Sequence, residues 1–182
     1  EQDATTDHAI RVRLAQGRTR FNQMYHIWID KNLTVDSKVR MYKTSIAMIA
    51  RHGSEAWDLT PANLKMIRAW NTGCLATITG RPHHEEGNEY TTTFDFGGDI
   101  RLKRLQWLGA LLRLPAHRMV HKAVRARYES KSLPPGSILL DVPATATFAE
   151  LVARADDKRS WQKLCSDTFP QLYAKEQQQQ QH

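Results

Sequence analysis

The sequence predicts an all-α protein, a multi-helix bundle of about six to seven helices. Apolar residues recur at helical spacing along most of the chain, and helix-capping residues punctuate those stretches. Only the connections at 90–98 and 137–142 allow a short strand or hairpin. Residues 7–30 read as one long helix, with Ile10, Leu14, Gly17, Phe21, Met24, Tyr25 and Trp28 on one stripe. Arg11 and Arg18 edge one side of that stripe, Arg13 and Arg20 the other. Thr34 is the expected N-cap of a second helix reaching about His52, with Val39, Tyr42, Ile46, Ile49 and Ala50 inward and Gly53 as its stop. The third helix starts at Thr60-Pro61, because proline at the first helical position lacks only an N–H that would be unbonded anyway. Leu64, Ile67, Asn71, Cys74, Leu75 and Ile78 form its stripe, and Gly80-Arg81-Pro82 ends it. Asn71 inside that stripe is either a paired core amide, the commoner case, or the mark of a groove.

Residues 81–98 form a long connection with a short strand expected at Tyr90–Phe96. Helices follow at about 99–113 and 116–128, separated by Pro115. Ser132-Leu-Pro-Pro-Gly136 reads as a linker and Ser137–Val142 as extended chain. Two closing helices are expected at about 147–155 and 157–169, the second bearing Trp161, Leu164, Cys165 and Phe169. Gln177–Gln181 is low in complexity and is expected to be disordered. The predicted organisation is a helical nucleic-acid-binding domain over 1–131, a linker and helical extension over 132–176, and a Gln-rich tail over 177–182.

A length of 182 residues is enough for a sizeable core, and 41% hydrophobic with 25% charged residues fits neither a disordered nor a fibrous chain. No apolar run approaches the roughly 18 residues of a spanning helix, so no membrane role is expected. Cys74 and Cys165 lie on apolar stripes without metal or redox spacing, and read as two core thiols in a reducing compartment. The chain opens on Glu1 rather than Met, so it is expected to be processed or taken from something longer.

Charge is where the sequence speaks of function. From Ile100 to Lys131 there are nine Lys or Arg against one acid, Glu129, a net +8 that exceeds the +7 of the whole chain. Such asymmetry points to a polyanion, most often nucleic acid. On the helix from Ile100, Leu102, Leu105, Leu108, Gly109 and Leu112 form the inward stripe, while Arg101, Lys103, Arg104 and Arg113 supply charge. Trp107 has two competing readings: stacking on a base beside a cation, or, the commoner role of a tryptophan, packing against a second layer or a missing domain. On the next helix Arg118, Lys122 and Arg125 are spaced i, i+4, i+7 as one ridge, with Arg127 nearby and Val120, Ala123 and Val124 facing the other way. A solvated face is the ordinary meaning of a charge run. Here acids are almost absent, and phosphate contact with salt-dependent, largely sequence-independent affinity is the better expectation.

Catalytic patterns are missing. Asp156-Asp157 has the residue type of a two-metal site, but before Lys158-Arg159 it reads as a helix N-cap favoured by the dipole. Adjacent side chains in His83-His84-Glu85-Glu86 rarely converge on one ion. No phosphate loop, G-x-S-x-G elbow or zinc spacing occurs, so no cofactor, metal or enzymatic activity is expected.

Three segments then resemble one family. Tyr42-Lys43 with Arg51-His52-Gly53-Ser54-Glu55-Ala56-Trp57-Asp58-Leu59-Thr60 resembles the Y-G-x-E-x-W-x-L-T segment of non-LTR retrotransposon reverse transcriptases, downstream of the palm. Arg104-Leu-Gln-Trp-Leu-Gly109 with Arg113-Leu-Pro115 is similar to their R-L-x-W-L-G-H-x-x-R-M-P signature, and Arg154-Ala-Asp-Asp-Lys-Arg-Ser-Trp161 to their A-x-D-R-x-x-W stretch. The likeness covers about residues 7–165 in the family's order, with His52 in place of Tyr and Ala110 in place of His. It implies a thumb and post-thumb region without fingers, palm or Tyr-x-Asp-Asp hairpin, so only binding carries over. The expected function is a non-catalytic nucleic-acid-binding protein, RNA before DNA, in a ribonucleoprotein such as an organellar ribosome with neighbouring proteins as partners. The alternatives are a fragment acting only beside its catalytic domain, and a helical protein–protein scaffold.

Overall fold

The computed structural model describes residues 2–80, 94–130, 133–142 and 147–179, with side chains from 6 to 168 within those ranges. Among the described residues every regular element is helical, so the chain is all-α. The helices are α1 (Gln2–Gln23), α2 (Tyr25–Ile29), α3 (Val35–Met41), α4 (Ala47–Ala50), α5 (Pro61–Thr79), α6 (Phe96–Leu112), α7 (Met119–Glu129), α8 (Phe148–Asp156) and α9 (Lys158–Gln179). A π-helical segment, Tyr42–Ile46, joins α3 to α4, and short 3₁₀ turns lie at Ser54–Ala56 and Ile138–Asp141. Packing divides the chain into two compact units, Glu1–Gly97 and Gly98–His182. The division expected from charge and the Pro-Pro-Gly linker lies further along, at 131.

The first unit is built around aromatic rings. Phe21 stacks on Trp28 with centroids 5.1 Å apart, and Tyr42 meets Phe94 edge-on at 6.0 Å. Trp70 lies 6.2 Å from Tyr42 and 5.6 Å from Phe96. Such offset and edge-on pairs add to the apolar area these large rings bury. Gly17 supplies clearance: a Cβ there would meet the Trp70 ring at 2.8 Å.

The single helix expected over 7–30 is interrupted at Met24 (φ −96°, ψ 14°). The Trp28 indole donates to the Phe21 carbonyl at 2.8 Å, a buried bond beside the one that carbonyl accepts from Met24 N–H at 3.2 Å. Trp28 therefore turns inward and Tyr25, expected on the stripe, is exposed. In the next helix the Thr34 hydroxyl caps by accepting from Ser37 N–H, as expected. The π segment advances the register, so Ala47 rather than Ile49 joins Tyr42, Ile46 and Ala50 in the core.

Helix α5 matches its sequence signals throughout. The Thr60 hydroxyl accepts from Asn63 N–H, Pro61 opens the helix and Gly80 ends it at φ +68°. All six predicted stripe residues are buried. Asn71 is the paired core amide: it accepts from the Tyr42 hydroxyl at 2.8 Å and donates to the Phe94 carbonyl at 3.0 Å. That bond fixes the chain just before α6. Most of the strand expected at Tyr90–Phe96 lies outside the described residues; Phe94 and Asp95 are irregular and Phe96 already begins α6.

Both cysteines are free and buried, as their stripe positions implied. Burial pushes the Cys74 thiol up to about 11 from its ordinary value of 9.0, against a smaller opposing pull from Arg18. Burial also raises the neighbouring Tyr42 phenol. The folded state thus holds the Cys74 proton more tightly than the unfolded chain does. Its contribution to stability is whole below about pH 9 and is lost as pH rises through about 11. Alkylation of Cys74 near neutral pH is expected to proceed only at the rate of unfolding. Rapid modification of the native protein would contradict this burial.

The second unit centres on Leu105, Leu108, Leu112, Leu139, Val142, Leu151, Ala155, Trp161, Leu164 and Cys165. The inward side of α6 is Ile100, Arg104, Leu105, Leu108 and Leu112, while Leu102, expected inside, is half-buried. Trp161 of α9 seats its indole on Gly109 and donates to the Leu105 carbonyl at 3.0 Å. A Cβ on Gly109 would fall within 2.6 Å of three indole atoms.

Two other sequence expectations are corrected here. Ser137–Val142 is not extended, because the Ser137 hydroxyl accepts from Leu139 N–H and starts the 3₁₀ turn. That turn buries Leu139 and Asp141 on the core side. Helix α9 continues through Gln179, beyond the expected end near 169 and into the Gln-rich stretch, of which 180–182 lie outside the described residues. Helix α8 begins with a full capping box, in which Thr147 and Glu150 satisfy each other's backbone N–H.

Candidate nucleic-acid interface

Helix α7 starts later than expected, at Met119 rather than 116, and Arg118 becomes its N-cap residue. Arg118 N–H bonds the Pro115 carbonyl at 2.9 Å, so the chain turns tightly after Pro115 before the helix begins. Phe148 selects the face that α7 buries. His121 meets it edge-on at 5.5 Å and Tyr128 lies 5.8 Å away, with Val124 also packed against the core. The inward face is therefore His121, Val124 and Tyr128, spaced i, i+3, i+7. Val120 and Ala123, expected inward, are exposed, and Met119 is 79% exposed. The aromatic spacing of His121 and Tyr128 was the signal for this face.

The predicted basic residues separate into those that hold the fold together and those that face water. Arg104 is only 2% exposed; it pairs with Asp141 at 3.3 Å and donates to the Gly136 carbonyl at 2.6 Å. A guanidinium so enclosed cannot reach a phosphate, so Arg104 leaves the interface. Arg113 is half-buried and donates to the Ala155 carbonyl at 3.0 Å, where a cation suits the C-terminal end of α8. It too is spent on structure. Arg101 and Lys103 are half-buried on α6.

On α7, Arg125 pairs with Glu129 at 2.8 Å and lies 6.0 Å over the Phe148 ring. Arg118, Lys122 and Arg127 are exposed, and among the described residues none has a carboxylate partner. Lys131 lies outside the described residues. The predicted ridge thus keeps Arg118 and Lys122 and loses part of Arg125 to Glu129, while Arg127 is exposed apart from it, about 140° around the helix from Lys122.

The α1 arginines belong to the first unit. Arg11 pairs with Asp7 at 2.9 Å, Arg13 donates to Gln16 and Arg20 to Gln23, all at the helix surface. Arg18 is half-buried, 5.9 Å over the Phe21 ring. Exposed pairs of this kind are weak, so Arg11, Arg13 and Arg20 exchange such partners for others readily.

An open groove of about 540 Å³ lies beside the basic face, floored by Phe148 and Val152 and rimmed by Arg125, Glu129 and Asp156. Its mixed rim does not favour an anion. Asp157 caps α9, accepting from Arg159 and Ser160 N–H at 3.1 and 3.3 Å, the role its position predicted. His83-His84-Glu85-Glu86 lies outside the described residues. Among the described residues no three His, Cys, Asp or Glu side chains gather into a metal-binding group, and no helix is long and apolar enough to cross a membrane. No family model, curated protein or solved structure matches the chain.

Proposed function

We propose that the chain is a non-catalytic nucleic-acid-binding protein that takes phosphate backbone on the outer face of α7, as a structural part of a ribonucleoprotein. The observation that carries this reading is the trio Arg118, Lys122 and Arg127, the first at the N-cap of α7 and the other two within it, all exposed without carboxylate partners among the described residues. Cations in that state break no ion pair when they meet phosphate, and they release counterions from it. The N-terminus of α7 supports the same chemistry. Its first turn holds no acid and Arg118 makes no side-chain cap bond, so the leading amides remain open to an anion. RNA before DNA rests on the reverse-transcriptase resemblance.

The test is a salt titration of binding to a labelled RNA. Replacing Arg118, Lys122 and Arg127 together by glutamine is expected to shallow the log–log slope by about three, roughly one per lost contact. An unchanged slope would remove α7 as the binding face. A second reading, protein docking, is favoured by Met119 and Val120 standing exposed among the same cations. Binding to a protein partner that survives high salt and is lost on Met119→Ser would support it over RNA.

A further inference from the structure

We propose that Trp107 is a stacking platform for an unpaired base, so that single-stranded segments are the form of nucleic acid this unit takes. The proposal rests on the α7 reading above and adds base contact to its phosphate contact. Five tryptophans occur in the chain, and Trp28, Trp57, Trp70 and Trp161 are core residues. Trp107 is 38% exposed. Among the described residues its indole has neither a hydrogen bond nor a ring contact. At 38% exposure part of the indole is packed, and the rest, about two-fifths of the residue, stays open to water although burying such a ring is among the larger gains open to a fold.

Its neighbours on the helix surface are exposed. Gln106 and Ala110 flank it on the wet side of α6, and Ala110 is too short to cover an indole face. Helical side chains lean toward the preceding turn, which carries Lys103 four residues before. Trp107 also sits five residues before the end of α6, about 7.5 Å of helix from the loop that leads into Arg118. Base stacking and phosphate contact thus fall along neighbouring stretches of one chain. Every base has a π-face, so such a platform is tolerant of sequence. A duplex hides those faces, so the platform discriminates by strandedness.

The test compares a short oligouridylate with an RNA duplex of equal length, bound to the full chain and to Trp107→Ala and Trp107→Phe. Trp107→Ala is expected to weaken single-strand binding roughly tenfold, with duplex binding and salt slope unchanged. Trp107→Phe should restore most of the loss. Tryptophan fluorescence of the wild type should be quenched by the single strand, and that quenching should vanish in the alanine variant. Trp107→Ala gives up the covered part of the ring and is expected to melt somewhat lower than the wild type, so binding is compared well below both transitions, where unchanged duplex binding separates lost contact from lost fold. Equal weakening on both ligands, or none on either, would overturn the proposal while a persistent salt slope leaves the α7 face standing. If the wild type binds neither ligand, both readings fall.

Discussion

Replacing Gly109 with alanine is expected to be among the most damaging single-methyl additions in the chain. The new Cβ would occupy the position of the Trp161 indole, and neither partner has room to yield, both being core residues. Overpacking of this kind costs about 1–3 kcal/mol. Displacing the indole also strands the buried N–H that now bonds the Leu105 carbonyl, about 1–3 kcal/mol more. A loss of roughly 3 kcal/mol should lower the melting temperature by about 6–12 °C, read by circular dichroism. Pairing Gly109→Ala with Trp161→Leu should destabilise by clearly less than the sum of the two single changes. Simple additivity would mean that the two positions do not share this contact.

Arg104→Met is the second large effect. The methionine keeps much of the buried stem volume but deletes the charge facing Asp141, which is itself only 10% exposed. Removing one partner of a buried ion pair costs about 3–5 kcal/mol, because the other charge stays desolvated. The Gly136 carbonyl loses its donor as well, which loosens the Pro-Pro-Gly turn ahead of the 3₁₀ segment. Chemical denaturation should show the loss as a lower midpoint. The double change Arg104→Met, Asp141→Leu should be more stable than Arg104→Met alone, since it also removes the desolvated carboxylate that faced Arg104. If the double variant is the worse of the two, the pair contributes more than mutual compensation.

What was legible in the sequence followed the range of the chemistry involved. Thr60-Pro61, Gly80, Thr34 and Asp157 act on atoms within three residues, so their roles could be read directly. The α5 stripe was equally plain, Asn71 included, because helical period alone sets it. Arg104 was misread because its partner lies 37 residues away, and a cation beside Lys103 looks like surface until Asp141 is placed. Arg113 was misread for the same reason, its acceptor being 42 residues on. The start of α7 was missed because arginine is a poor N-cap and Ala116-His117 gave no signal against a helix.

The resemblance motifs take on a physical meaning within the second unit. Arg104, Gly109, Arg113, Asp157 and Trp161 are all fold-keeping residues: an ion pair, a seat, a helix-end donor, a cap and a plug. Motif residues that hold a fold say little about what its surface binds. The exposed cations of α7 lie outside those motifs, which is why charge, and not motif, located them.

The seating of Trp161 also sets an order of events at the ribosome. Leu105 and Trp161 are 56 residues apart, whereas the Tyr42–Asn71 and Asn71–Phe94 bonds of the first unit span 29 and 23. At roughly 5–20 residues per second, α6 emerges about 3–11 seconds before the helix that covers it. During that interval the first unit already has both chain segments of these two bonds, while Leu105, Leu108 and Leu112 lack the cover of α9. The nascent chain is thus most open to chaperones, and to sticking to its copies, at α6.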